Sequence, residues 1–232
     1  MKEMLTNKIL TGLPDAEFAR LMPLLEPVSL TPGARLIGAD EVVRFVYFPE
    51  DAVISCHADM QDGKSAEVAM IGKDGLTGLP WLLGARPAAH SLNVAVGGSA
   101  LRVRRAELER ELQRGAALRQ ALLTYAGEYV TQVAQRAACA VLHRTEQRLA
   151  VWLLLVTERL DGEAVEITQE RIAQHLGVRR AGVTVIAGEL QQQGVISYSR
   201  GSLRVVSREA LEAVACECYG ALAAAPTKSI YT

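Results

Sequence analysis

No apolar run in this chain reaches the length needed to cross a bilayer, although half of its 232 residues are hydrophobic. The start, Met1-Lys-Glu-Met-Leu5, lacks the apolar core and small-residue cleavage site of a secretory leader. A cytoplasmic protein with no membrane partner is therefore expected. Cysteine is scarce, and none of Cys56, Cys139, Cys216 and Cys218 forms a C-x2-C pair. Cys216-Glu-Cys218 is too closely spaced for an easy disulfide, so buried or incidental thiols are expected rather than a redox or metal site. The four histidines, His57, His90, His143 and His175, are scattered. Excess charge is lacking too: a formal net charge of −1 excludes a general nucleic-acid coating protein and leaves room for a local basic patch. There is no internal repeat and no low-complexity linker. The length suffices for two domains, each with its own core.

The sequence is richest between Thr168 and Leu190. Ile172 and Leu176 share a helix face at i, i+4, and Ala173 is small where a second helix would cross. Gly177 stands where a tight turn needs a positive φ. Val183, Ile186 and Leu190 continue as the buried stripe of a second helix. Together they predict a helix-turn-helix. Gly194 is the expected left-handed cap after it. Two strand-like runs follow, Val195–Ser199 and Ser202–Val206, joined by Arg200-Gly201 as a two-residue turn, which makes a wing. From Thr168 to Arg208 six arginines (Arg171, Arg179, Arg180, Arg200, Arg204, Arg208) face two acids, Glu170 and Glu189. This concentration of positive charge suits phosphate contact.

Upstream, residues 1–104 open with a short amphipathic helix behind Pro14, with Phe18, Leu21 and Met22 on one side. Short β-like runs follow: Val42–Phe48, Ala52–Cys56, Glu67–Ile71, Ser91–Val96 and Ala100–Val103. Turn signals such as Pro32-Gly33, Asp62-Gly63 and Gly97-Gly98 separate them, which predicts a β-sandwich or jelly roll. Residues 105–142 read as helix, interrupted only by Gly115 and Gly127. Leu118, Leu122, Tyr125, Tyr129, Val133 and Ala140 trace an apolar stripe. Two readings of that stripe stand: a parallel helix pair across a dimer axis, or packing within the chain itself. Thr145 reads as the N-cap of a further helix ending at Asp161-Gly162, so a DNA-binding domain is placed at 143–220 with a hinge at His143–Thr145. Residues 221–232 form a tail.

The chain resembles the Crp/Fnr superfamily of bacterial transcription regulators. The resemblance rests on Val46–Ser55, Ile71–Leu79, the long helix, Gln147–Ala150 and Leu176–Thr184, in that order. It implies an α+β fold: an effector-type β jelly roll like a cyclic-nucleotide-binding domain, a dimerisation helix and a C-terminal winged helix. It also implies a homodimer, a two-fold-symmetric double-stranded DNA site, contact with RNA polymerase, and a small-molecule effector. In the dimer the interface would use Leu118, Leu122, Tyr125, Tyr129 and Val133. Arg180 matches an arginine used for guanine, where a bidentate fork onto O6 and N7 discriminates by about 1–3 kcal/mol. Arg179, where a small capping residue is common, is a phosphate candidate. Ala181 and Val185 depart from the Glu and Arg of better-studied members, so the half-site should differ from theirs. Ala181 can still meet a thymine methyl, and Thr184 a base or phosphate. Thr168, Gln169, Ser199 and Arg200 are phosphate candidates, Arg200 equally well a solvated turn residue.

The cyclic-nucleotide cassette of the family is not legible in Gly75–Ser91. No Glu follows a Gly there, Arg86 is the lone arginine, and Pro87 stands where a serine would. No cysteine precedes Cys56, which excludes an N-terminal iron–sulfur site. One of His57 and His90 could still hold haem. Trp81–Leu83 and the helix tyrosines could line a pocket for an organic effector or simply be core. Neither a cofactor nor a metal is expected. The alternatives are a cyclic-nucleotide-dependent regulator, a structural adaptor, and a cupin-type metal enzyme. The last needs clustered His and carboxylate ligands that this sequence does not show. No catalytic residue is expected.

Overall fold

Asn7 organises the first element. In the computed structural model, which describes residues 2–84, 90–160 and 164–223, its side chain accepts from the Leu10 amide and caps α1 (Lys8–Thr11). Its Nδ2 donates to the carbonyls of Pro49 and Gly75, each at 2.9 Å. Pro14 precedes α2 (Asp15–Leu21), which buries Phe18 and Leu21. The strands follow as β1 (Glu26–Leu30), β2 (Arg35–Ile37), β3 (Phe45–Pro49), β4 (Val53–Asp59) and β5 (Ser65–Ile71). A single turn, α3 (Leu79–Leu82), leads into β6 (Ser91–Val96) and β7 (Gly98–Arg104). Two sheets result, ordered β1-β7-β3 and β2-β6-β4-β5, and form the jelly roll. β7 pairs antiparallel with both neighbours, placing Val28 opposite Ala100 and Val46 opposite Val103. β3 starts at Phe45, three residues later than the apolar run at Val42 suggested, and Val42 is exposed.

The helical stretch expected at 105–142 is two helices, α4 (Arg105–Arg114) and α5 (Ala116–Leu142). Gly115 separates them because Glu17 approaches closely; a Cβ there would lie 2.5 Å from a Glu17 carboxylate oxygen. That carboxylate accepts from the amides of Ala117 and Leu118 at 3.1 and 2.9 Å, satisfying donors that the start of α5 would otherwise leave open. The 27 residues of α5 span about 40 Å.

The chain divides into two compact units. Among the described residues, one is built from those within 2–56 and 70–130, the other from those within 57–69 and 131–223. The division falls inside α5 and within the β4–β5 hairpin, rather than at the 104/105 and 142/143 junctions read from the sequence. In the first unit Leu118, Leu122 and Tyr125 are buried with Leu10, Phe18, Val46, Phe48, Leu76 and Leu101. Tyr125 lies close against Gly75, where a Cβ would come within 2.5 Å of the ring. The stripe assigned to a dimer seam thus fills its own unit's core at those three positions. Tyr129 packs against the same core, and Val133 lines a cavity of the second unit.

The second unit continues with α6 (Thr145–Arg159) and β8 (Val165–Glu166). Then come α7 (Gln169–Leu176), α8 (Arg180–Gln192), β9 (Ile196–Ser199), β10 (Ser202–Val205), α9 (Arg208–Val214) and α10 (Cys218–Ala223). Arg144, rather than Thr145, is the residue before α6; its amide donates to Gln147 Oε1 at 3.1 Å. The expected helix end at Asp161-Gly162 and most of the tail lie outside the described residues. Among the described residues no helix is long and apolar enough to cross a membrane.

Candidate nucleic-acid interface

The Thr168 hydroxyl accepts from the Arg171 amide at 3.3 Å and caps α7. Ile172, Ala173 and Leu176 turn inward from α7, and Val183, Ala187 and Leu190 from α8. The buried stripe of α8 therefore passes through Ala187; Ile186, expected there, is only half-buried. A small residue at 187 fits the close crossing of two helices. Gly177 ends α7 at φ +65, as the turn requires. Arg148 on α6 donates a guanidinium N–H to the Leu176 carbonyl, satisfying an open acceptor at the end of α7.

This packing leaves Arg179, Arg180, Ala181, Thr184 and Val185 exposed at the start of α8, on one edge of the unit. Thr184 is partly engaged: its hydroxyl donates to Gln169 Oε1 at 2.6 Å, joining the starts of α7 and α8. Gln169 and Thr184 are thus positioned as a pair. The wing is the three-stranded sheet β8-β10-β9. The Tyr198 hydroxyl ties it to the segment before α7, donating to the Ile167 carbonyl at 2.8 Å, and the Ile167 amide donates to the Gly201 carbonyl at 2.7 Å. Ser199, Arg200 and Arg204 are exposed, and Arg200 takes a positive φ of 51° in the turn. The Arg208 guanidinium is held by Glu158 at 2.7 Å and Glu212 at 2.8 Å, so its charge serves the unit rather than a phosphate.

The same unit holds two clusters that the sequence did not suggest. In the first, Glu67 is fully buried and receives Arg136 Nη1 at 2.6 Å, His175 Nδ1 at 2.9 Å and Trp152 Nε1 at 3.4 Å. His175 stacks on Trp152, and His57 meets its edge, with burial holding His57 below the usual histidine range. In the second, Cys139, His143, Cys216 and Cys218 converge. Burial and the neighbouring thiols push Cys139 up to about 12.

In the first unit a cavity of about 30 Å³ is lined by Trp81, Tyr129, His90, Cys56 and aliphatic side chains. That is room for about one water rather than an organic effector. Arg86 and Pro87 lie outside the described residues.

Residues 147–214 match the Crp-like helix-turn-helix domain. No curated protein matches the chain. Solved structures do. FixK2 from Bradyrhizobium japonicum superposes with a TM-score of 0.68 at 16% identity, covering 83% of this chain and 98% of its own. A CRP-family transcriptional regulator from Thermus thermophilus gives 0.69 at 14% identity, covering 81% and 96%. The c-di-GMP-responsive regulator CLP from Xanthomonas campestris gives 0.65 at 11%, covering 84% and 100%. At these identities the likeness is one of fold.

Proposed function

We propose that this chain is a DNA-binding transcription regulator of the Crp/Fnr type, acting in the cytoplasm as a homodimer on a two-fold-symmetric DNA site; the Crp-like helix-turn-helix match over residues 147–214 and the fold shared with FixK2 support this reading. The observation that carries this is the exposed start of α8, with Arg179 and Arg180 beside a wing bearing Ser199, Arg200 and Arg204. Arg180 reads a base edge, Ala181 offers a methyl contact, and Arg179, Arg200 and Arg204 hold phosphates, with Thr168 and Gln169 at the helix start. Gln169 and Thr184 reach the DNA as a hydrogen-bonded pair. Contact with RNA polymerase and control by an effector belong to the same reading; the chemistry is non-catalytic. The 30 Å³ cavity beside Trp81 and Tyr129 is too small for an organic effector.

The dimer seam is the exposed side of α5 rather than the stripe at Leu118, Leu122 and Tyr125. Leu123, Gly127, Val130, Ala134, Ala137 and Val141 recur there in alternating steps of four and three, and all are exposed. Apolar and small residues at this period are what two helices need to pack along a common axis.

Selection of bound fragments from genomic DNA by the purified chain tests the proposal. A palindromic motif with half-site centres about 34 Å apart is expected. Arg180→Ala should weaken the best site by about 1–3 kcal/mol and relax one base position. Equal loss on all sequences would remove Arg180 as a base reader, and no palindrome under any condition would remove the dimeric reading.

A further inference from the structure

We propose that Cys139, His143, Cys216 and Cys218 form a tetrahedral, structural zinc site that ties the end of α5 to the segment joining α9 and α10. None of the pairwise spacings is one by which zinc sites are usually recognised in a sequence. The fold supplies the site by bringing together a C-x3-H pair at the end of one helix and a C-x-C pair more than seventy residues away.

The geometry is that of one ion. The four donor atoms lie within 4.8 Å of one another. Cys139 Sγ is 3.6 Å from Cys216 Sγ, and Cys218 Sγ is 3.5 Å from His143 Nδ1. With Zn–S about 2.3 Å and Zn–N about 2.0–2.1 Å, a tetrahedron places two sulfurs about 3.8 Å apart and sulfur and nitrogen about 3.6 Å apart. These two edges lie close to the tetrahedral values. An iron–sulfur cluster distributes its ligands over several irons and needs a wider set. Three thiolates and one imidazole form a borderline-soft set that suits zinc and leaves no open position for catalysis.

The surroundings are those a metal site requires. All three cysteines are buried. The far nitrogen of His143, Nε2, faces Glu217 Oε1 at 3.3 Å, so the residue between the two tail cysteines orients the imidazole with Nδ1 toward the sulfurs. Gln135 Nε2 donates to Cys218 Sγ at 3.0 Å, and the Cys218 amide donates to Cys216. Three thiolates around a divalent ion leave one negative charge. The Arg148 guanidinium, half-buried and interacting with Cys139 and Cys216, offsets it. On binding, the thiol protons leave to solvent and the ion takes their place. His143 stands between the last residue of α5, Leu142, and the Arg144 cap of α6, so the metal would fix that joint against α10.

The test is metal content and spectroscopy of the full chain. Protein purified under reducing conditions from zinc-supplemented cells should hold close to one zinc per chain. After chelation, Co²⁺ should give the intense visible bands of a tetrahedral thiolate complex. Cys56→Ser, in the other unit, should leave both unchanged, whereas Cys216→Ser with Cys218→Ser should abolish both. Glu217→Gln should still saturate, but with zinc affinity about 10–100-fold weaker in chelator competition. The wild-type cobalt titration needs no variant, so a misfolded double mutant does not decide the matter. Folded wild-type chain without stoichiometric metal or a tetrahedral cobalt spectrum would overturn the proposal. So would full zinc content in the double variant, or a Cys139–Cys216 disulfide as the isolated form. These readouts do not involve DNA, so their failure leaves the DNA-binding reading intact.

Discussion

Glu67 is buried with an arginine, a histidine and a tryptophan around its two carboxylate oxygens, each donated from a different helix. A charge in that position is tolerated because Arg136 neutralises it at 2.6 Å. Its loss would strand the guanidinium of Arg136, whose side chain is only 14% exposed. Glu67→Ala should therefore destabilise the chain by about 3–5 kcal/mol in urea denaturation. A loss below about 1 kcal/mol would show that water replaces the carboxylate. Nothing in the run Glu67-Val-Ala-Met-Ile71 marks this residue, which looks like the polar member of an alternating strand. Its partners stand at 136, 152 and 175, and no local pattern links them. Cys139, His143, Cys216 and Cys218 were illegible for the same reason. Arg180 and Ala181, by contrast, could be read directly, because their exposure follows from helix periodicity around buried neighbours.

At the scale of elements, the helix-turn-helix and wing were legible because local rules govern them. Gly177, Gly194 and the Arg200-Gly201 turn all take positive φ. Helix α5 is the instructive exception. Its stripe at Leu118, Leu122 and Tyr125 is real, but periodicity shows that a face is buried and not what buries it. The first unit claims that face, and a second stripe, weaker in hydropathy because it includes Gly127, Ala134 and Ala137, remains exposed. The two faces predict opposite outcomes for the same kind of substitution. Val130 is 62% exposed, so Val130→Asp should fold normally and run as a monomer in sedimentation. Its affinity for the full palindrome should fall about 10²-fold or more as bivalence is lost. Leu122 is 6% exposed, and Leu122→Asp should instead unfold the first unit. A Val130→Asp chain that stays dimeric would move the seam off this side of α5.

At the scale of the whole molecule, a formal charge of −1 conceals a strongly uneven distribution. Of the six arginines between Thr168 and Arg208, Arg208 is bound by its own unit's carboxylates, while Arg179, Arg180, Arg200 and Arg204 are exposed on the winged element. If Arg180 reads a base, three arginines per protomer remain for phosphates, and a dimer neutralises about six. The logarithm of the binding constant should then fall with the logarithm of salt concentration at a slope of about −5. Arg179→Ala should flatten that slope by about 2, one phosphate lost per protomer, and weaken all sequences alike. Arg180→Ala should leave the slope nearly unchanged and alter base preference. Glu212→Ala offers a contrast: if Arg208 is held as described, freeing one of its partners should not steepen the salt dependence, since Glu158 still binds it. Titrations of one palindrome and one unrelated duplex across salt separate these cases. A slope shallower than about −2 on the palindrome would mean that the exposed arginines do not lie along the DNA backbone, and the placement of α8 in the groove would have to be abandoned.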